Sequence, residues 1–103
     1  MNIRLKPRAR ADLLAIRAWS EDNWGELRAK EFLEGLIERL EQLVAFPEMG
    51  RPRPVFHEDL RSIRYKGYVI FYCLENGAAV IVAVLHERRN HAALDFAERL
   101  EDG

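Results

Sequence analysis

Residues 60–90 carry three runs rich in Val, Ile, Tyr and Phe, and two polar dipeptides separate these runs. The dipeptides are Lys66-Gly67 and Asn76-Gly77, and Asn-Gly between apolar runs is a strong signal for a two-residue hairpin turn. The pattern therefore predicts a three-stranded antiparallel meander. Its faces are both mostly apolar, so we expect other parts of the chain to cover both of them.

Two-residue turns would fix the register of this meander, because residue 65 then faces residue 68 and residue 75 faces residue 78. Arg61, Tyr72 and Ile81 would lie in one row. The same face would hold Ile63, Tyr65, Tyr68, Ile70, Leu74, Ala79, Ala83 and Leu85. The opposite face would hold Leu60, Ser62, Arg64, Val69, Phe71, Cys73, Val80, Val82, Val84 and His86. A slip of one residue would exchange the two faces.

Two helices are predicted before the meander. Pro7 suits the first turn of a helix that ends near Asn23, with a thin stripe at Ala9, Leu13, Ile16 and Ser20. Residues 26–46 have a stronger helical pattern at Ala29, Phe32, Leu33, Leu36, Ile37, Leu40, Leu43 and Val44. Gly25 lies between them, so we expect an antiparallel helical hairpin that packs on one face of the sheet.

The remaining segments predict smaller elements. Residues 2–5 alternate like an edge strand, and three prolines within residues 46–54 predict an irregular segment. Asn90 is a candidate N-cap for a last helix that ends near Leu100, with an apolar stripe at Ala93, Leu94, Ala97 and Leu100. The predicted fold class is α+β: a helical hairpin on a three- to four-stranded antiparallel sheet, with a short C-terminal helix, in one domain spanning residues 1–103.

Composition adds limits to this fold. The 103 residues suit a single domain, and the one cysteine, Cys73, excludes an internal disulfide and is predicted to be buried. No run approaches the ~18 apolar residues of a membrane span, and the first residues lack the apolar core of a secretory signal, so we expect a cytoplasmic protein. Residues 51–91 carry seven basic and four acidic side chains, although the net charge is −1. That near-neutral total argues against strong general affinity for nucleic acids.

The chain lacks the usual signatures of a cofactor or metal site. There is no glycine-rich phosphate loop and no paired-cysteine motif, and the spacing of the three histidines does not suggest convergence on a metal. We therefore expect no cofactor and no metal. The chemistry that remains lies in basic and aromatic side chains of the sheet.

Two groups of residues are candidate functional positions. Arg61 should lie beside Tyr72, where it would bind a phosphate, orient a partner's carboxylate, stack on an aromatic ring, or form a salt bridge with Asp59 or Glu87. His86 lies with Arg88 and Arg89 at the end of the last strand. A histidine there acts either as a general acid or base or as a hydrogen-bonded structural residue. The sequence leaves both alternatives open.

Several short segments, taken in order, resemble a known family. They are Ala11-Asp12-Leu13, Phe46-Pro47, Gly50-Arg51-Pro52, Leu60-Arg61-Ser62, residues 68–72, and Val84-Leu85-His86 followed by Arg89. In this order and spacing the chain resembles toxins of the ParE/RelE superfamily from bacterial toxin-antitoxin modules, and the ParE branch more closely. The fold that this resemblance implies agrees with the fold predicted from the patterns.

The resemblance implies a partner and a target. Such toxins are neutralised by a cognate antitoxin, ParD-like or another small protein, and modules of this kind stabilise plasmids. ParE members poison DNA gyrase through protein contacts, whereas RelE members cut messenger RNA on the ribosome with clustered Lys, Arg and Tyr, or with Glu, His and Tyr. Only Arg61 and Arg89 match basic positions of that catalytic set. A non-enzymatic gyrase inhibitor is therefore the expected function.

Two alternatives remain beside it. One is a ribosome-dependent endoribonuclease that uses Arg61, His86 and Arg89; the other is an inactive module that only binds its antitoxin. The residues expected to bind antitoxin or target are Arg61, Tyr72, His86, Arg88 and Arg89. We expect them, together with the sheet face opposite the helical hairpin, to form the surface where antitoxin and target compete.

Overall fold

Two long helices and three long strands make up most of the protein, which the computed structural model describes from residue 3 to residue 102. The elements are β1 (Arg4–Leu5), α1 (Pro7–Trp24), α2 (Glu26–Ala45), β2 (Arg51–Pro52), β3 (Arg61–Tyr65), β4 (Tyr68–Glu75), β5 (Ala78–His86), a 3₁₀ turn (His91–Ala93) and α3 (Phe96–Glu101). The helical hairpin packs on the sheet, which confirms the predicted α+β class. None of the described helices has the length and hydrophobicity needed to cross a bilayer.

The sheet has five strands in the order β1-β5-β4-β3-β2, one more than the largest predicted number. Its two outer strands have two residues each. β1 pairs in parallel with β5, so the sheet is mixed rather than wholly antiparallel. The predicted first strand is confirmed at Arg4–Leu5, and Asn2 lies outside the described residues.

The proline-rich segment is less irregular than predicted. Arg51 pairs with Ser62 and Pro52 pairs with Arg61, so two of its residues form β2. A proline is tolerated here because β2 is the edge of the sheet, where one side of the strand needs no hydrogen-bond donor.

Both predicted hairpin turns are present. Lys66 and Gly67 have φ angles of 41° and 83°, and Asn76 and Gly77 have 53° and 81°. Positive φ at both central residues is the conformation that matches the twist of antiparallel strands. The predicted register follows from these turns, since Tyr65 pairs with Tyr68 and Glu75 pairs with Ala78.

The predicted row is also correct, because Tyr72 pairs with both Arg61 and Ile81. The register changes between Tyr72 and Phe71 of β4, because Tyr72 pairs with Ile81 and Phe71 pairs with Ala83. Val82 is therefore an extra residue of β5 and forms a β-bulge. A bulge shifts the alternation of every later side chain by one position.

This bulge makes part of the face assignment wrong. Val84 packs with the residues under the helical hairpin, whereas Ala83 and Leu85 pack on the opposite face. His86 pairs with Tyr68 and belongs to the hairpin side. The predicted faces hold up to residue 82 and are exchanged after it.

Each face of the sheet has its own core. Under the hairpin, α1 and α2 contribute Ala9, Ile16, Phe32, Leu36, Leu40 and Leu43. On the opposite face, Val69, Phe71, Val82 and Leu85 are buried beneath the side chains of Phe56, Leu94, Phe96 and Leu100. Coverage of both faces is therefore confirmed. The segment before β3 and the last helix cover the second face, so this face itself is not the surface on which antitoxin and target were expected to compete.

The C-terminal segment differs most from its prediction. Instead of one helix from Asn90, it forms the 3₁₀ turn and then α3, whose N-cap is Asp95; this carboxylate accepts a hydrogen bond from the Glu98 amide at 3.0 Å. The predicted stripe is wrong at Ala93 and Ala97, which are exposed. The buried residues of α3 are Phe96 and Arg99.

Arg99 is buried because it has partners on two other elements. Its Nη1 donates to Asp12 Oδ2 of α1 at 2.9 Å and to the Val82 carbonyl in the bulge at 3.1 Å. The Val84 amide also donates to Asp12 Oδ2, at 3.0 Å. Asp12 therefore holds α1, the bulge of β5 and α3 together.

Candidate functional site

His86 and Arg89 line an open cleft of about 270 Å³ where β5 ends beside α1. Its other polar and aromatic lining residues are Asp12, Trp19 and Tyr68. The sequence predicted His86 and Arg89 as site residues, and the structure brings them into one cleft.

The ring of His86 is oriented by its neighbours. Its Nδ1 accepts a hydrogen bond from the Arg88 amide at 3.1 Å, and its ring meets Tyr68 edge to face at 5.4 Å between centroids. Because Nδ1 is an acceptor, a neutral ring carries its proton on Nε2. The ring is exposed, so Nε2 is open to a partner.

The other side chains in and beside this cleft differ in burial and in their partners. Burial raises the pKa of the Tyr68 phenol, so Tyr68 stays protonated at neutral pH. Asp12 is occupied by Arg99 and the Val84 amide. Arg89 of the cleft is exposed, as is the adjacent Arg88, which does not line the cleft, and within residues 3–102 neither has an acidic partner. The cleft thus presents a histidine and a free cation.

Arg61 and Tyr72 lie elsewhere and serve the loop before β2. Nη1 of Arg61 donates to the carbonyls of Glu48 and Gly50, at 3.2 and 2.8 Å. The Tyr72 hydroxyl accepts from the Gly50 amide at 2.7 Å, and this side chain is fully buried. Burial raises the pKa of the Tyr72 phenol as well.

The structure therefore does not bring the five candidates together. Arg61 is not paired with Asp59 or Glu87; the partner of Glu87 is Arg64, at 3.0 Å. Gly50 is required at its position because a Cβ there would lie 2.5 Å from the Tyr72 hydroxyl and 2.9 Å from the Ser62 carbonyl. Arg61 and Tyr72 fix a loop, and His86, Arg88 and Arg89 are exposed at another end of the sheet.

A larger cleft of about 690 Å³ lies between α1 and α2. Its apolar part is formed by Ala29, Leu33 and Ile37. Its charged lining residues are Arg17, Lys30, Glu21, Glu26, Glu34 and Glu38. Both cations form ion pairs within their own helix, Arg17 with Glu21 and Lys30 with Glu34. This cleft therefore has an apolar floor and an excess of negative charge.

Sequence reasoning missed Trp19, Asp12 and Arg99. Asp12 appears in the sequence only as part of the family-like segment Ala11-Asp12-Leu13, and the bulge that it caps has no local sequence signal. Within residues 3–102 no three His, Cys, Asp or Glu side chains are grouped closely enough to hold a metal ion.

The model of the family described as "ParE toxin of type II toxin-antitoxin system, parDE" matches residues 3–91. The chain belongs to this ParE toxin family. It is 34% identical over 91 residues to Toxin ParE1 of Caulobacter vibrioides. The aligned region covers 87% of this chain and 93% of that relative.

A solved structure supports the ParE fold. The chain matches a structure described as "Chromosomal ParDE TA system from P. aeruginosa" with a TM-score of 0.70 and 18% identity. The match covers 84% of this chain and 95% of the other. As a ParE family member, the protein is a toxin of the type II toxin-antitoxin class, and the resemblance noted in its sequence is confirmed.

Proposed function

We propose that this ParE toxin inhibits DNA gyrase by protein-protein contact, without catalysis, and that a cognate antitoxin neutralises it in the cytoplasm. The observation that carries the non-catalytic part is the separation of Arg61 from His86 and Arg89. A ribonuclease needs its acid, base and phosphate-binding groups around one ribose-phosphate unit.

The sheet register gives the size of this separation. Arg61 pairs with Tyr72 of β4, whereas His86 pairs with Tyr68 of the same strand. Four residues of a strand span about 13 Å. Both Arg61 hydrogen bonds also go to the loop carbonyls of Glu48 and Gly50. These observations support a binding role over an endoribonuclease that combines all three residues.

The cleft between α1 and α2 supports an antitoxin partner. Its apolar floor includes Ile37, which is 42% exposed, and Leu27 nearby on α2 is 72% exposed. Apolar grooves between helices are a common docking site for an amphipathic segment. The matched P. aeruginosa structure is itself described as a ParDE system. A ParD-like or other small antitoxin is the partner that this surface suits.

Expression of the chain alone tests the proposed target. We expect growth arrest with DNA cleaved and trapped on gyrase, and the same cleavage complexes with purified toxin and gyrase. Messenger RNA cut within codons on ribosomes would contradict the proposal and support the endoribonuclease. Normal growth with a folded toxin would indicate an inactive antitoxin-binding module.

Two variants connect the target to the cleft at the end of β5. His86→Ala and Arg89→Ala should each weaken gyrase inhibition while antitoxin binding, measured by co-purification, is kept. Arg10→Ala is the matched control, because Arg10 is exposed on the side of α1 that faces away from this cleft. Equal loss in all three variants would contradict a role for the cleft.

A further inference from the structure

Both tryptophans of the chain lie in the last part of α1 and are exposed. Trp19 is 50% exposed and Trp24 is 37% exposed, and their rings meet edge to face at 5.3 Å between centroids. Tryptophan is the largest apolar side chain, and it usually gains most from burial. Two neighbouring exposed tryptophans therefore suggest a binding surface.

More rings extend this pair into a row. The ring centroid of Trp24 lies 5.4 Å from that of Phe32. The centroids of Phe32 and Tyr68 are 5.7 Å apart, and those of Tyr68 and His86 are 5.4 Å apart. Two open clefts of about 270 Å³ flank the row. One contains Trp19 and His86, and the other contains Trp24.

Three cations border the same row. Arg89 lines the first cleft, and Arg28 and Lys66 line the second. The Arg28 guanidinium lies over the Trp24 ring, 5.9 Å from its centroid. In the part of the chain that the structure describes, none of these three cations forms an ion pair. We call Trp19, Trp24, Arg28, Lys66, Tyr68, His86 and Arg89 the aromatic-basic face.

Acidic groups do not cancel this charge. Asp12 lines the first cleft, but its carboxylate is paired with Arg99. Glu31 lines the second cleft and opposes two cations there. The aromatic-basic face is therefore positive, in contrast to the acidic cleft between α1 and α2.

We propose that the aromatic-basic face binds a short segment of single-stranded nucleic acid. Bases would stack on the exposed rings, and phosphates would contact Arg28, Lys66 and Arg89, which is how proteins bind single strands without reading their sequence. An acidic peptide fits less well, because its carboxylates would pair with the three cations but would leave the exposed tryptophan rings without a stacking partner. The proposal does not depend on gyrase as the target.

Only three cations take part, so the binding is weak and consistent with the net charge of −1. The dissociation constant should lie in the range of about 1–100 µM at low salt. Neutralisation of three phosphates on a single strand predicts a slope of about −2 for the logarithm of affinity against the logarithm of salt concentration.

Intrinsic fluorescence tests the proposal directly, because both fluorescent tryptophans belong to this face. The full chain is titrated with a 12-mer of thymidylate, with the matching duplex and with polyglutamate of equal charge. We expect saturable, salt-sensitive quenching by the single strand, with weaker binding of the duplex and of polyglutamate. Equal binding of polyglutamate would identify an acidic-peptide site and overturn the proposal, as would no binding of the single strand at low salt.

Variants separate stacking from charge. Lys66→Glu and Arg89→Glu lie at exposed positions and should each weaken binding and reduce the salt slope. Trp19→Leu should weaken binding roughly tenfold through lost stacking, with Trp24 as the remaining reporter. Arg10→Glu is the control of equal charge change on the opposite side of α1. Circular dichroism checks folding, and unchanged affinity in the folded Lys66 and Arg89 variants would also overturn the proposal.

Discussion

Arg99 and Asp12 join the last helix to the first, with Nη1 and Oδ2 2.9 Å apart and both side chains nearly buried. The same guanidinium nitrogen donates to the Val82 carbonyl, and the Val84 amide donates to the same carboxylate oxygen. One ion pair therefore satisfies backbone groups on both sides of the β-bulge. The position of α3 depends on this pair and on Phe96.

Removal of the Arg99 guanidinium should destabilise the protein strongly. Arg99→Met keeps an apolar stem but leaves the Asp12 carboxylate buried without its counterion, which typically costs about 3 kcal/mol. Urea unfolding followed by circular dichroism measures this difference. The second change Asp12→Asn should recover part of the loss, because asparagine still accepts from the Val84 amide and carries no charge.

Arg8→Ala is the control for this experiment. It removes the exposed ion pairs of Arg8 with Glu98 and Asp102, which also connect α1 to the C-terminal segment. Exposed pairs contribute little, so the unfolding midpoint should change far less than in Arg99→Met. If Arg99→Met and Arg8→Ala had similar unfolding midpoints, burial would not be the reason for the stabilising effect of the Arg99–Asp12 ion pair.

Gly35 of α2 is predicted to be coupled to Tyr65 of β3. A Cβ at residue 35 would overlap the Tyr65 hydroxyl, which donates to the Phe32 carbonyl at 2.9 Å. Gly35→Ala should therefore destabilise the protein, although alanine is better than glycine in a helix by about 1 kcal/mol. In a Tyr65→Phe background the same change should cost less, because the nearest atom to the added Cβ is then the ring carbon Cζ at 3.1 Å. Additive free energies of unfolding would contradict the coupling.

The Tyr72 hydroxyl should hold the loop before β2. Tyr72→Phe leaves the Gly50 amide without its acceptor in a buried place, and such a loss costs about 1–3 kcal/mol. Thermal unfolding measures the change. Tyr68→Phe is the matched control, because no hydrogen bond of its hydroxyl is found within residues 3–102. Limited proteolysis at residues 46–54 should also accelerate only in Tyr72→Phe.

Cys73 should be unreactive in the folded protein. Burial, followed by the nearby Glu75 carboxylate, raises the pKa of its thiol from 9.0 to about 11. The thiolate is the reactive form, so a disulfide reagent at pH 8 should label Cys73 only when the chain unfolds. Rapid labelling of the folded protein, with circular dichroism unchanged, would contradict this prediction.

The same pKa shift predicts a loss of stability at alkaline pH. Between pH 9 and about 11 the unfolded thiol has lost its proton and the folded thiol has kept it, so the unfolded state binds fewer protons and stability falls as pH rises. Cys73→Ala lacks this contribution. The difference in unfolding free energy between the two proteins should therefore change across this interval and stay constant below pH 8.

Replacement of Ser20 by alanine is predicted to stabilise the protein. Its Oγ is buried, and within residues 3–102 it has no hydrogen-bond partner. Ser20→Ala removes this unsatisfied group and improves helix propensity, so the melting temperature should rise. Ser62→Ala is the control with the opposite sign, because the Ser62 hydroxyl accepts from Arg53 at 3.2 Å.

Local patterns were enough to predict the hairpin turns, the strand register up to Ile81, the helical hairpin and the two-sided core. Asn76-Gly77 and Lys66-Gly67 determine their turns through backbone conformation, which depends on neighbouring residues only. The α3 boundaries and the bulge could not be predicted in this way. They depend on Asp12 and Arg99, which are 87 residues apart in the chain.

In the candidate site, too, some features follow from local sequence patterns and others depend on distant residues. His86 and Arg89 were predicted because a strand end exposes its side chains, and the structure places both in one cleft. Arg61 and Tyr72 were correctly paired across the strands, but their roles in the loop could not be predicted, since their partners are backbone groups of Gly50 and Glu48. Trp19 lies outside the predicted apolar stripe of α1, and half of its surface is exposed.

The extra residue at Val82 constrains the length of β5 more than its composition. A deletion of one residue within the bulge would leave the rest of residues 78–85 apolar. It would still turn His86 away from Tyr68 and α1. It would also bring Val84 to the face that α3 covers. Related toxins that keep this cleft should therefore vary freely among small and branched apolar residues here, and should not vary in the number of residues between the Asn-Gly turn and the histidine.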